Sequence, residues 1–213
     1  MNKPAVSTKV PRQQRAIDTY ERLLTATGEL LGECGFERIS TNMIADRAGV
    51  TPPTFYRYFE DKYDVMSALG KRLMDVQNEL LLEIGEDLQS KPGYVLTSSD
   101  LEKLLHGTVK ITEAFVGGIW VMKCLRVVPR LNHIRTDSHD DMARAMTEAA
   151  LAGAPELVEA EIFRQARLSM ELGFSAIELV LDDPSLDRVA IFRDTATAIA
   201  AFSDAVEMSS VQK

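Results

Sequence analysis

A chain of 213 residues with 46% hydrophobic content is long enough for one large domain, or for a small head and a larger body, around a substantial core. No apolar run reaches the roughly 18 residues of a membrane-spanning helix, the N-terminus MNKPAVSTKVPRQQR lacks the apolar stretch of a secretory signal, and Cys34 and Cys124 have neither disulfide nor metal spacing, which points to a reduced, cytoplasmic compartment. The net charge of −8 argues against a polyanionic partner until its distribution is read: residues 1–60 carry eight Lys/Arg and seven Asp/Glu, the remainder 16 and 25.

The first 16 residues hold Lys3, Lys9, Arg12 and Arg15 and no acid. Residues 1–14 read as a flexible basic arm, either a solvated tail or a source of phosphate and minor-groove contacts. A first helix is expected over 16–34, with Ile17, Tyr20, Leu24, Thr27 and Leu31 on one stripe and Leu23 and Leu30 widening it. Gly35 ends it, and Phe36 and Ile39 tuck back into a small core.

The segment ISTNMIADRAGVTPPTFYRYFEDK, residues 39–62, carries the most information. Ser40 or Thr41 caps a short helix through Met43, Ile44, Ala45 and Ala48. Gly49 supplies the left-handed turn, and Val50 plugs the angle between two helices. Thr51 is a second N-cap, with Pro52 at the first helical position, where its missing N–H costs nothing. Phe55 and Phe59 lie four apart on a core face, leaving Thr54, Arg57 and Tyr58 to point elsewhere, with Tyr56 at the edge. Asp61 caps the next helix, which opens with Lys62. Two short helices joined by a tight turn, the second opening with hydroxyls, make a helix-turn-helix that sets one helix in the DNA major groove.

Ser40-Thr41, Ile44-Ala45, Ala48-Gly49-Val50, Thr54-Phe55-Tyr56, Tyr58-Phe59 and Lys62 together resemble the DNA-binding domain of the tetracycline-repressor (TetR) family of transcription regulators. The resemblance covers about residues 15–69. Pro53, where most members carry glycine or alanine, and Arg57 depart from the usual pattern and would alter which bases are read. The resemblance implies that Thr41 and Asn42 reach phosphate or a groove edge. It makes Thr51, Pro53, Thr54 and Arg57 the base readers, Tyr56 and Tyr58 phosphate contacts, and Lys62 a phosphate contact beside a helix N-terminus. For the tyrosines half-buried packing stays open, for Lys62 a solvated role, and for Arg57 an ion pair with Glu60 or Asp61.

Beyond the head the pattern is helical throughout. The fourth helix, with Met66, Leu69, Leu73, Val76 and Leu80 at helical spacing, runs to about Leu88 and links head to body. Residues 90–98 form a loop, and Ser99 with Glu102 makes a capping box for a helix over 101–115. Gly117-Gly118 breaks it, a helix over 119–128 follows, and Pro129 stops that one. Leu131–Thr136 is ambiguous. A helix over 137–151 ends at Gly153, Pro155 opens a long helix over 156–181, and Asp183-Pro184 opens the last, ending near Val206. His139-Asp140-Asp141 reads as a solvated helix start. The expectation is an all-α fold of about nine or ten helices. An N-terminal three-helix helix-turn-helix domain spans 15–62, a larger helical ligand-binding and dimerisation domain spans 63–206, and a tail covers 207–213.

Within the body Phe115, Trp120, Met122, Phe163, Met170 and Phe174 suit an apolar cavity, with His106, His133 and Arg167 as polar anchors, although such side chains are more often plain core. The last two helices carry Phe163, Ala166, Met170, Gly173, Phe174 and Ile177, then Ala196, Ile199, Ala200 and Ser203. The resemblance implies that they pair with a second copy, and intramolecular core is the other reading. No phosphate-binding glycine loop, GxSxG, HExxH or Cys/His cluster is present, so no enzyme, cofactor or metal site is expected. The expected partners are double-stranded operator DNA, a second copy of the chain and a small, largely apolar ligand that releases the DNA. A regulator without such a ligand is the alternative.

Overall fold

The computed structural model describes residues 14–89 and 97–211, with side chains described over 14–84 and 97–202. The expected basic arm (up to residue 13), residues 90–96 of the expected loop and residues 212–213 of the expected tail lie outside them. Among the described residues there are nine α-helices, one 3-10 turn and no strand: α1 (Gln14–Cys34), the 3-10 turn (Phe36–Arg38), α2 (Thr41–Arg47), α3 (Pro52–Phe55), α4 (Lys62–Gln89), α5 (Ser98–Ala114), α6 (Gly118–Val127), α7 (Asn132–Gly153), α8 (Glu159–Asp182) and α9 (Arg188–Val211). The all-α class is as expected. None of the described helices is long and apolar enough to cross a membrane.

The chain forms two compact units that cut across chain order. The first is Met1–Met74 with Glu113–Arg135, the second Asp75–Thr112 with Thr136–Lys213. The head therefore carries α6 in its own unit, and α4 is one unbroken helix that begins in the first unit and ends in the second.

The first unit is built on the stripe read from sequence. Leu23, Leu24 and Leu31 of α1, Ile44 of α2, Phe55, Phe59, and Val65, Met66 and Leu73 of α4 are all fully or almost fully buried. Each such side chain contributes on the order of 1.5–3 kcal/mol of transfer free energy. The Phe59 ring stacks on Tyr20 at 5.2 Å. From α6, Val121, Met122, Cys124 and Leu125 are buried, and Leu125 lies against Gly70, where a Cβ would sit 2.6 Å from its Cδ2. Arg72 of α4 grips Glu21 of α1 with both terminal nitrogens.

The core of the second unit joins Leu101, Leu104, Leu105 and Val109 of α5, Ala176, Ile177 and Val180 of α8, and Phe192, Ala196 and Ile199 of α9. Gln77 crosses from α4 to α5 within it, donating to the Thr112 hydroxyl at 2.7 Å.

Several element boundaries differ from the sequence reading. The box opening α5 is Thr97 with Asp100, not Ser99 with Glu102. The Asp100 amide donates to the Thr97 hydroxyl and the Thr97 amide to the Asp100 carboxylate, both at 3.3 Å. Within Leu131–Thr136, Leu131 is a fully buried turn residue and α7 begins at Asn132, whose side-chain amide donates to the Leu125 and Arg126 carbonyls near the end of α6. Pro155 lies in a turn rather than opening α8, which starts at Glu159. Asp183 accepts from the Ser185 amide and hydroxyl in a local turn. The carboxylate that caps α9 is Asp187, bonded to the Ala190 amide at 3.1 Å. That helix runs on to Val211, five residues past the expected end.

Candidate nucleic-acid interface

The helix-turn-helix forms by the local signals in residues 40–61. Ser40 caps α2, its hydroxyl accepting from the Met43 amide at 3.2 Å. Gly49 turns the chain at φ +64°, a conformation glycine adopts without a Cβ penalty. Thr51 takes the N-cap position of α3 with no side-chain cap bond; its hydroxyl pairs with that of Thr54 at 3.0 Å instead. Pro52 and Pro53 occupy the first turn. The end of α3 tightens, with the Arg57 amide on the Thr54 carbonyl and the Tyr58 amide on Phe55, which is the 3-10 pattern of a short helix end. Asp61 then caps α4, its Oδ1 accepting from the Tyr63 and Asp64 amides at 2.8 and 2.9 Å.

This scaffold leaves most of the candidate residues accessible. Asn42, Thr51, Pro53, Tyr56 and Arg57 are exposed, and Thr41, Thr54 and Tyr58 are half-buried. The Tyr56 and Thr41 hydroxyls lie 2.9 Å apart and join the end of α3 to the start of α2. Tyr58 packs on Tyr20 at 6.4 Å. Arg57 forms no ion pair with Glu60 or Asp61. Asp61 pairs with Arg130 at 3.1 Å, and the Glu60 amide donates to Asp64, whose carboxyl burial pushes up against that bond. The other arginine of the motif, Arg47, is held by Glu29 and Glu33 of α1 and braces α2.

The Lys62 ammonium, expected at a phosphate or in solvent, is engaged within the chain. It donates to the carbonyls of Phe36 at 3.1 Å and Glu37 at 3.3 Å and sits 4.6 Å from the Phe36 ring centroid. Sequence reasoning missed the Asp61–Arg130 contact, which spans 69 residues and has no local signal.

The expected pocket residues divide between the two units. In the first, Met122 is core, Phe115 is half-buried and His133 is exposed. Trp120 is 43% exposed, a surface residue rather than a cavity wall, with the Lys123 ammonium over its ring. In the second, Met170 and Phe174 are buried, and Phe163 is half-buried with Arg144 against its ring. Arg167, expected as an anchor for a ligand, is bonded to Asp140 at 2.5 Å and Glu171 at 2.6 Å.

His139 overturns its reading as part of a solvated helix start. It is fully buried within α7, 3.2 Å from the Glu171 carboxylate, with its ring 4.3 Å from Phe174. The open depression of about 450 Å³ in this unit is lined by Ser99, Glu102, Lys103, His106, Gly107 and Lys110, which includes His106 and none of the apolar candidates. Ala166, Met170, Gly173, Phe174, Ile177, Ala196 and Ile199, read as possible contacts for a second copy, are buried within the chain itself. Among the described side chains, the exposed large apolar ones of the last two helices are Leu168, Leu179 and Val189.

Residues 23–69 match the family model described as bacterial regulatory proteins, tetR family. An uncharacterized HTH-type transcriptional regulator of Mycobacterium tuberculosis is 31% identical over 94 residues, 42% of this chain and 48% of that protein. The chain thus aligns with about half the length of that relative. Among solved structures, a tetR-family transcriptional regulator from Streptomyces coelicolor superposes with a TM-score of 0.61 at 18% identity, over 90% of this chain and 83% of that one. The multidrug binding protein EbrR, complexed with imidazole, superposes with a TM-score of 0.64 at 16% identity, over 90% and 95%. The family model covers residues 23–69, while similarity in fold extends over most of the chain.

Proposed function

We propose, from the premise that this chain belongs to the tetR family of bacterial regulatory proteins, that it is a sequence-specific DNA-binding transcription regulator. The observation that carries the reading is the exposure of Asn42, Thr51, Pro53 and Arg57 on a helix-turn-helix whose aromatic residues Phe55 and Phe59 are buried. Arg57, with no ion-pair partner on its own turn, can grip a guanine bidentately, and the Pro53 ring and Thr54 methyl can pack on thymine methyls. Thr41, Asn42, Tyr56 and Tyr58 supply hydroxyl and amide groups for the phosphates on either side.

A single head spans part of one groove, so operator binding calls for two heads about a helical turn, or a multiple of it, apart. Leu168 and Leu179 on α8 and Val189 on α9 are the apolar surface that supports a homodimer through the last two helices. Repression relieved by a small, largely apolar ligand is the finer reading. It is supported by the fold shared with a multidrug binding protein and by α4, one helix with residues in both units. A ligand shifts operator affinity only through different affinity for the two states of the protein.

Selection of the full chain against a random duplex pool tests the reading. Enrichment of one motif with two related half-sites supports it, and a pool left at its starting composition removes it. A compound that raises the melting temperature and lowers operator affinity together marks ligand control. If screening finds none, a regulator controlled by a partner or by its own abundance becomes the better account.

A further inference from the structure

Two cations of the first unit converge on one pair of aromatic rings. The Lys62 ammonium sits 4.6 Å from the Phe36 centroid and 5.9 Å from that of Tyr63, and the Arg130 guanidinium 4.3 Å from Tyr63. The two rings meet edge to face at 5.3 Å. Lys62 spends two donors on the carbonyls of Phe36 and Glu37. Arg130 reaches Asp61, the residue that caps α4. The cluster thus ties the 3-10 turn after α1, the first turn of α4 and the segment after α6 at one point, a few residues past the recognition helix.

We propose that Lys62 and Arg130 are positioning residues for DNA binding: they lock the Phe36–Tyr63 ring pair and so fix how α3 leaves α4, instead of contacting phosphates. Each cation over a ring face is attracted by the ring quadrupole, and the two backbone carbonyls give the Lys62 ammonium a fixed seat. A lysine held this way cannot follow a phosphate without breaking those bonds. Arg130, from a segment 69 residues away, makes the angle of the recognition helix depend on where α6 ends. The DNA half of this inference rests on the regulator reading; the ring lock itself does not.

The test uses the full chain with Lys62→Met and Arg130→Gln, in two arms. Without DNA, Lys62→Met is expected to melt about 2–6 °C below wild type, and adding Phe36→Leu is expected to cost less in Lys62→Met than in wild type, as coupled neighbours do. An unchanged melting temperature overturns the lock. With operator duplex, both variants are expected to lose about 5- to 30-fold in affinity while the slope of log K against log salt stays within about 0.4 of wild type. A lysine on a phosphate would change that slope by about 0.9, and such a change overturns the positioning role. Arg130→Gln, at a side chain 64% exposed, is expected to fold and serves if Lys62→Met does not; unchanged operator affinity in it overturns its part. If wild type binds no duplex, the regulator reading falls, while the melting arm still decides the lock.

Discussion

Gly28 in α1 and Gly117 in the turn before α6 touch backbone to backbone. A Cβ on Gly117 would lie 2.9 Å from the Gly28 Cα and closer still to its carbonyl oxygen, and a Cβ on Gly28 would lie 3.0 Å from the Val116 Cγ1. Gly117 also sits at φ +72°, where a side chain costs roughly 1–2 kcal/mol on its own. The nearest obstructing atoms are main chain at both positions, the Val116 carbonyl for Gly28 and Gly28 itself for Gly117, so a shift of the Val116 side chain alone relieves neither. Gly28→Ala and Gly117→Ala are each expected to destabilise the protein by about 2–4 kcal/mol, read as a lowered midpoint in urea. Two neutral substitutions would show that α1 and the turn are not packed this closely.

His139 gives a second prediction. It is buried against Phe174 and bonded to Glu171. His139→Ala leaves a ring-sized void and withdraws a partner from Glu171, so a loss of about 3 kcal/mol is expected in denaturant unfolding. A solvated helix-start histidine would give a change within about 0.5 kcal/mol.

Cys124 and Cys34 should differ in reactivity. Burial, aided by the charge of Glu37, pushes the Cys124 thiol up to about 11 from an ordinary 9.0, and the thiolate is the reacting form. In the folded protein at pH 8 only Cys34, which is half-buried, is expected to react with a thiol reagent within minutes. Both should react after unfolding. The raised value also means that the folded state holds this proton longer than the unfolded chain. The contribution of Cys124 to stability is complete below about pH 9 and declines as pH rises towards 11. Cys124→Ala should therefore narrow the loss of stability between pH 9 and 11 relative to wild type. Rapid modification of Cys124 in the folded protein would contradict the burial.

Legibility in the sequence followed the range of each interaction. Ser40, Gly49, Pro52 and Asp61 act on backbone within three residues of themselves, and each stands where its chemistry placed it. Phe55 and Phe59 were readable from spacing, because four residues apart on a helical turn means one face. Thr97 and Asp187 were missed although local, because Ser99 and Asp183 offered the same capping chemistry a few residues away. His139 was missed because its partners, Glu171 and Phe174, lie more than 30 residues on. Arg130 was invisible for the same reason. Lys62 was legible as the first residue of α4, but its carbonyl partners come from the turn at Phe36 and Glu37.

The Tyr56–Thr41 hydroxyl pair separates two roles for Tyr56. Tyr56→Phe keeps the ring against Phe55 and removes the hydroxyl. Operator affinity is expected to fall by about 1 kcal/mol for every duplex alike, because the hydroxyl is assigned to phosphate and to bracing α2. A changed ranking of operator variants would instead make Tyr56 a base reader.

The central claim is that Thr51, Pro53, Thr54 and Arg57 read bases. Its most direct test is a comparison of wild type and Arg57→Ala, by anisotropy at fixed salt, on the selected operator and on every single-base variant of it. Wild type is expected to lose about 1–3 kcal/mol at one guanine position, and Arg57→Ala to bind more weakly overall but no longer to distinguish the base there. A variant that binds more weakly yet keeps the full wild-type discrimination at every position would contradict it.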